Sequence, residues 1–354
     1  MNDFPLDLPE IYRLWPDYRP TPLIDLPELA RMAEVGRVLV KVEAARPLGN
    51  FKVLGGMIAG IRALARYAGV ELADLLDSRS SQVPLPRLLC ASDGNHGLAV
   101  AAAAQRVGAQ ASIFLPAGVS PARARRIEAC GGGIVWVRGT YDDAVGVAAA
   151  TAALGGGLLI ADTSADPNDP VVRDVMAGYA LMARELGSQF RDDIRDSPSH
   201  LFVQAGVGGL AAALAEGLKE VMRAPGRVVV VEPEAAACVT RALAVGRPEL
   251  VPGDLRTSAE MLSCGVASAT ALEILRRHNV GTVLVGEHGL NSAVDILLHA
   301  GGPETTASGA AGLAGLLRVA QDPHLRWLHQ LTAASRVLLV ATEGPSAQAA
   351  QGGF

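Results

Sequence analysis

A chain of 354 residues is too long for one minimal core and suggests two domains, and with half its residues hydrophobic and 19% charged it has the balance of a packed soluble protein, not a disordered one. The net charge of −5 carries no long run of one sign, which argues against a nucleic-acid partner. The N-terminal segment lacks a basic-then-apolar signal pattern, and the longest uncharged stretch, 144–161, is broken by Gly155-Gly156-Gly157, so a cytoplasmic protein without a membrane span is expected.

In chain order, residues 37–44 read as a strand, 53–67 as a helix and 77–86 as a polar, proline-bearing linker. A strand at 87–91 leads through a Gly/Asn turn into an alanine-rich helix ending near 106. Strand 110–115, helix 121–129, strand 133–138, helix 142–154 and strand 157–161 complete a compact βα block. Helix 170–186, strand 200–204, a helix from 209, strand 227–232, helix 268–278 and strand 282–286 follow, then helix 309–319 and strand 336–341. The alternation predicts an α/β protein with largely parallel sheets. The expected division is a larger domain of residues 1–84 plus 161–354 and a small βα subdomain of 85–160. In open sheets of this kind ligands sit beyond the carboxyl ends of strands, here the loops 46–56, 92–97, 162–164, 204–209 and 341–346.

The four cysteines (Cys90, Cys130, Cys238, Cys264) lack CxxC spacing and the seven histidines are scattered, so neither a disulfide framework nor a metal site is expected. Of 31 basic residues only Lys41, Lys52 and Lys219 are lysines. An amine that must deprotonate and attack a carbonyl has to be lysine, because guanidinium stays protonated. Lys41 alternates within a strand and Lys219 lies on a polar helix face, so both read as structural. Lys52, in Asn50-Phe51-Lys52 at a strand-to-helix junction, is the candidate nucleophile, the alternative being a surface lysine. An apolar neighbourhood and a helix N-terminus both disfavour an ammonium, so its pKa is expected to fall.

Two further loops carry chemistry. Ser92-Asp93-Gly94-Asn95-His96-Gly97 offers a planar amide and free backbone N–H groups suited to a carboxylate. Gly206-Val207-Gly208-Gly209 follows a strand and opens a helix, which suits a phosphate. The same loop fits GxGxxA, with Glu232 ending the next strand, and so approaches a dinucleotide fingerprint. Its place past mid-chain favours a monophosphate cradle; a tight structural turn is the remaining reading.

Taken together, Phe51-Lys52, the asparagine loop and the glycine loop resemble the pyridoxal-phosphate-dependent β-family, which includes threonine dehydratase and O-acetylserine sulfhydrylase. More narrowly they resemble the diaminopropionate ammonia-lyases, whose asparagine loop carries an acidic residue, as Asp93 here. Matches at Arg19-Pro20-Thr21-Pro22-Leu23, Tyr141-Asp142-Asp143-Ala144-Val145, Ala161-Asp162-Thr163, Gly178-Tyr179, Val231-Glu232-Pro233 and Thr342-Glu343-Gly344 extend the resemblance over residues 18–345.

The resemblance implies two open parallel-sheet α/β domains of the tryptophan synthase β-like fold, pyridoxal 5'-phosphate as cofactor and a homodimer. It implies that Lys52 is the Schiff-base lysine and general base, and that Asn95 bonds the cofactor's ring oxygen. Gly206, Val207, Gly208 and Gly209 would hold the phosphate, and Thr342, or else Ser308 of Ser308-Gly309-Ala310-Ala311, would face the pyridine nitrogen. Asp93 and Asp162 would be an acidic pair at the substrate, Asp93 taking the α-proton on the face opposite Lys52; a helix N-cap is the competing role for each. The implied reaction is α,β-elimination, 2,3-diaminopropionate giving pyruvate and ammonia. The alternatives are a serine or threonine dehydratase or β-replacement enzyme, and, in another class, a non-catalytic ligand- or NAD-binding protein. Pro345-Ser346 and Gly265-Val266-Ala267-Ser268 depart from the ammonia-lyase pattern, which has Asp-Thr and an acidic-proline pair there; the departures touch leaving-group specificity.

Overall fold

The computed structural model describes residues 8–77, 84–190 and 197–345, so residues 78–83 of the expected linker lie outside it. Helix α1 (Leu8–Leu14), strand β1 (Leu23–Asp25) and helix α2 (Pro27–Met32) precede β2 (Arg37–Val42), whose β-branched run is buried along its middle. Two short 3-10 turns lead into α3 (Lys52–Ala68), which ends at Gly69 in the left-handed conformation (φ 68°) that a Cβ would disfavour. Helix α4 (Leu72–Asp77) follows.

The next block alternates strictly: β3 (Leu88–Ala91), α5 (Asn95–Arg106), β4 (Ala111–Pro116), α6 (Pro121–Ala129), β5 (Gly132–Val137), α7 (Tyr141–Ala153) and β6 (Leu158–Leu159). Thr140 and Asp143 start α7 with a reciprocal capping box. Then come α8 (Pro170–Gln189), β7 (His200–Gln204), α9 (Gly209–Gly217), β8 (Arg227–Pro233), α10 (Cys238–Val245), α11 (Ala269–Arg277) and β9 (Gly281–Val285). The chain closes with α12 (Glu287–His299), α13 (Ala307–Gln321), α14 (Pro323–Leu328) and β10 (Arg336–Ala341).

The strands form two sheets, one ordered β1-β2-β10-β7-β8-β9 and the other β5-β4-β3-β6. All pairings are parallel except β1 on β2, an antiparallel edge that the sequence reading did not include. The α/β class expected from the alternation is the class observed. Among the described residues no helix is long and apolar enough to cross a membrane.

One apolar core fills the space between the two sheets, and α3 is its centre: Leu54, Met57, Ile58, Ile61 and Leu64 are fully buried. Glycines bring α3 to backbone contact with its neighbours. A Cβ on Gly56 or Gly60, one turn apart, would lie 2.6 Å from the Ala99 Cβ or 2.9 Å from the Ala103 Cβ of α5. A Cβ on Gly178 of α8 would lie 2.2 Å from the Leu54 carbonyl oxygen, and one on Gly55 would strike Tyr179 at 2.5 Å. The Gly178-Tyr179 pair is therefore a packing requirement of the α3–α8 crossing. A second core, with Phe202, Val229, Leu290 and Leu313, covers the other face of the six-stranded sheet.

A buried ionic network holds the approach to α3. Lys41, with no exposed surface, pairs with Glu185 at 2.7 Å and donates to the Thr21 carbonyl at 2.9 Å. Arg46 forks onto Glu43 (2.8 and 3.0 Å) and onto Glu185 (2.6 Å), and Thr21 Oγ1 donates to Glu43 at 2.6 Å. Breaking a buried network by removing one partner costs about 3–5 kcal/mol, because the remaining charges stay desolvated. Arg46→Met is thus expected to lower the unfolding free energy by about 3–5 kcal/mol, read as a lower urea midpoint at unchanged m-value. Wild-type stability of the variant would mean that the network contributes little.

Candidate active site

Five strand exits converge on one cleft between the two sheets, of about 770 Å³ including its open mouth, a size suited to a small organic ligand. Lys52, Asp93, Asn95, Asp162, Gly206, Val207, Gly208, Gly209, Thr342 and Ser308 all line it.

Lys52 is the first residue of α3, and its backbone is pinned from two sides. Its N–H donates to Asn50 Oδ1 at 3.0 Å, and the neighbouring Phe51 N–H donates to the Thr342 carbonyl at 3.0 Å. Its ammonium reaches across the cleft to Asp162 Oδ2 at 2.5 Å, just beyond β6 of the other sheet, while Tyr141 donates to Asp162 Oδ1 at 2.7 Å. Burial favours the neutral form of each partner, but the opposite charge prevails: the lysine pKa is raised and the aspartate is held well below the usual carboxylate range. The expected fall of the Lys52 pKa is therefore corrected. Its environment is desolvated, as the sequence suggested, but a carboxylate contributed by a distant segment dominates.

Neither aspartate caps a helix. α5 begins at Gly94 with no side-chain cap, and α8 is capped by Asp169, not Asp162. Asp93 has its pKa pushed up to about 7, first by burial and then by the charge of Asp162, against the opposing pull of Arg123 and Lys52. A carboxyl titrating there can accept or return a proton at neutral pH. Gly94 sits at φ 142°, and Ser92 Oγ accepts from the Gly94 and Gly97 amides at 2.9 and 2.8 Å, which shapes the loop so that Asn95 enters the cleft. The Asn95 amide nitrogen donates to the Glu343 carboxylate.

The glycine loop fits a phosphate. Gly208 stands at φ 97°, α9 has no side-chain cap, and its first N–H groups are free for an anion. A Cβ on Gly206 would lie 3.1 Å from Cys264 Sγ and 3.2 Å from the Met261 carbonyl, so a side chain would crowd the cradle. Glu232 does not serve this loop. It accepts from the Val239 and Thr240 amides, both at 2.7 Å, and from Thr240 Oγ1 at 2.6 Å, capping α10 away from the cleft. The dinucleotide reading thus loses its acidic partner.

At the floor, the Gln204 amide nitrogen, with two hydrogens to donate, lies 3.1 Å from Thr342 Oγ1 and 3.0–3.1 Å from the carbonyls of Ser308, Gly309 and Val340. Ser308 Oγ accepts from the Met261 amide at 3.0 Å. Sequence reasoning assigned no role to Tyr141, Tyr179, Gln204 or Glu343. For Gln204 and Glu343 a signal existed: each is a polar residue where a strand with an apolar middle exits toward the cleft.

Residues 14–343 match the family model described as pyridoxal-phosphate dependent enzyme. Diaminopropionate ammonia-lyase of Escherichia coli (strain K12) is 31% identical over 340 residues, covering 92% of this chain and 85% of its own. The crystal structure of the Escherichia coli enzyme in complex with D-serine superposes with a TM-score of 0.85 at 28% identity, over 98% of this chain and 91% of that one. A serine dehydratase-like protein of Mus musculus is 27% identical over 80% of this chain and 77% of its own. With a lysine at the head of α3, a side-chain-free anion cradle at α9 and a match over nearly its whole length, the chain belongs to the pyridoxal-phosphate-dependent enzyme family, and its cofactor is pyridoxal 5'-phosphate.

Proposed function

We propose that this enzyme catalyses α,β-elimination on a β-substituted amino acid, with 2,3-diaminopropionate as its best substrate; with one water the products are pyruvate and two ammonia. The observation that carries the reading is the acidic pair: Asp93 and Asp162 share one cleft with Lys52, which holds Asp162 ionised, while burial and the charge of Asp162 raise the proton affinity of Asp93. A substrate bearing a second ammonium is attracted to such a pocket, and its leaving amine must depart protonated. The similarity to enzymes named diaminopropionate ammonia-lyase supports the same substrate. Serine or threonine dehydration is the second reading, favoured by the serine dehydratase-like relative and by Gly265-Val266-Ala267-Ser268. Measuring pyruvate and ammonia release across β-substituted amino acids of both configurations separates them.

When bound, the cofactor supplies the electron sink that acidifies the substrate α-carbon. Lys52 is the amine that bonds it covalently and the base for the α-proton of an L-substrate. Asp162 orients the Lys52 amine and holds its proton. Asp93 serves the opposite face, where a D-substrate presents its α-hydrogen. Asn95 would donate to the ring oxygen, the amides of Gly206–Gly209 would hold the phosphate, and the Thr342 hydroxyl would face the ring nitrogen. A hydroxyl there, unlike a carboxylate, would leave that nitrogen largely unprotonated, which would favour elimination over transamination. In this reading residues 1–84 with 161–354 form the cofactor-binding domain and 85–160 the small one, each with its own sheet as support. The active species is a cytoplasmic homodimer; sedimentation as a monomer at micromolar concentration would refute the dimer.

Lys52→Ala should lose turnover and the borohydride-dependent attachment of cofactor while keeping the circular-dichroism signature of the fold, with a lowered thermal transition because Asp162 stays buried without its partner. More than a trace of residual elimination would remove the assignment. Gly208→Asp places a carboxylate in the anion cradle at a positive-φ position, so cofactor should be lost on dialysis. Full retention would support a purely structural turn.

Asp93→Asn should reduce D-isomer elimination by about 10²–10⁴-fold and L-isomer elimination less. Because the base is the ionised carboxylate and its pKa lies at about 7, wild-type kcat/KM for the D-isomer should fall as pH drops through that value, with no such limb in the variant. Equal losses on both isomers, or a wild type inactive on D-substrates, would dismiss the two-face reading.

A further inference from the structure

We infer that Glu343 is a positioning residue that fixes the polarity of the Asn95 amide and thereby the enzyme's grip on the cofactor's ring oxygen. The inference rests on the proposed role of Asn95. Glu343 belongs to the large sheet, two residues past β10, whereas Asn95 opens α5 of the small sheet, so their contact spans the cleft. The carboxylate itself is held firmly. One oxygen accepts from Thr306 Oγ1 at 2.5 Å, the Glu343 carbonyl accepts from Thr305 Oγ1 at 2.6 Å, and the backbone bridges to Asn50 beside Lys52. Its other oxygen receives the Asn95 Nδ2 hydrogen.

An amide side chain can present either its NH₂ or its carbonyl to a partner, and the wrong choice sets oxygen against oxygen. A carboxylate only accepts, so it selects NH₂. The second Nδ2 hydrogen of Asn95 has no other partner among the described residues and is left for an acceptor in the cleft. Glutamine at position 343 would preserve shape but could offer either face, and the selection would be lost.

The test uses cofactor-stripped and reconstituted enzyme. Pyridoxal phosphate affinity and the pH dependence of the bound cofactor's visible bands are measured for wild type, Glu343→Gln, Asn95→Ala and the double variant. Hydrogen bonds to charged groups are worth about 1.5–3 kcal/mol, so Glu343→Gln should weaken binding roughly 10- to 100-fold and shift the band transition. In the Asn95→Ala background the same change should add little, since both act through one contact. Unchanged affinity and spectrum in Glu343→Gln, or an equal loss without Asn95, would overturn the inference. Unchanged behaviour of Asn95→Ala would instead overturn the role of Asn95 and the inference with it. If Glu343→Gln fails to fold, Glu343→Asp, which keeps the charge but shortens the reach, carries the same cycle.

Discussion

The close passage of α3 between α5 and α8 is the constraint on which the active site depends. Glycines at 55, 56 and 60 meet Tyr179, Ala99 and Ala103 at distances that no added Cβ could occupy without movement, and Gly178 meets the Leu54 backbone likewise. Close-packed interiors transmit such displacements without absorbing them. Lys52 is the first residue of α3, so the depth at which that helix is seated sets the depth of the amine in the cleft. The same crossing places Tyr179, packed at a tilt against Phe51 with ring centroids 5.0 Å apart, beside it. The buried network of Lys41, Glu43, Arg46 and Glu185 then fixes the segment that enters α3, joining β2 to α8 just before the catalytic turn.

Within that frame the electrostatics divide the labour of the carboxylates. Asp162 is satisfied twice, by Lys52 and by Tyr141, and stays ionised. Asp93 has no such partnership, lies within the field of the ionised Asp162, and is forced toward neutrality. Two acids of one type in one cleft thus acquire different proton affinities from their surroundings alone, the arrangement that acid–base chemistry at neutral pH requires. The ion pair also joins the two sheets, since Lys52 and Asp162 are contributed by different ones.

Beside this machinery the cleft wall departs from the ammonia-lyase pattern. The segment 264–268 follows Met261 and Leu262 along the cleft wall and lacks the acidic-proline pair of the ammonia-lyase pattern. The Gly265 amide donates instead to Asp142 Oδ2 at 3.2 Å, so an acid from the small sheet reaches the segment. A Cβ on Gly265 would sit 2.6 Å from that oxygen, so a side chain there would displace the Asp142 carboxylate.

The sequence by itself determined the alternation of strands and helices, the lysine, and the loops that meet at the cleft, because strand exits, glycines and rare lysines are local features. It also carried the aspartates as candidates, though not the choice between capping a helix and facing a substrate. Short elements escaped it: β1, α2 and α14 have three to six residues and exist through the sheet edge and helices they lean on. Tertiary structure alone decided the sign of the Lys52 shift, since the apolar turn would lower its pKa and a carboxylate 110 residues away raises it. It alone made Glu232 a helix cap and not part of a dinucleotide fingerprint, and brought Glu343 to Asn95 across 248 residues of chain. A pairwise charge or hydrogen bond depends on distance in space, and periodicity along the chain holds no record of which distant segment will supply the partner.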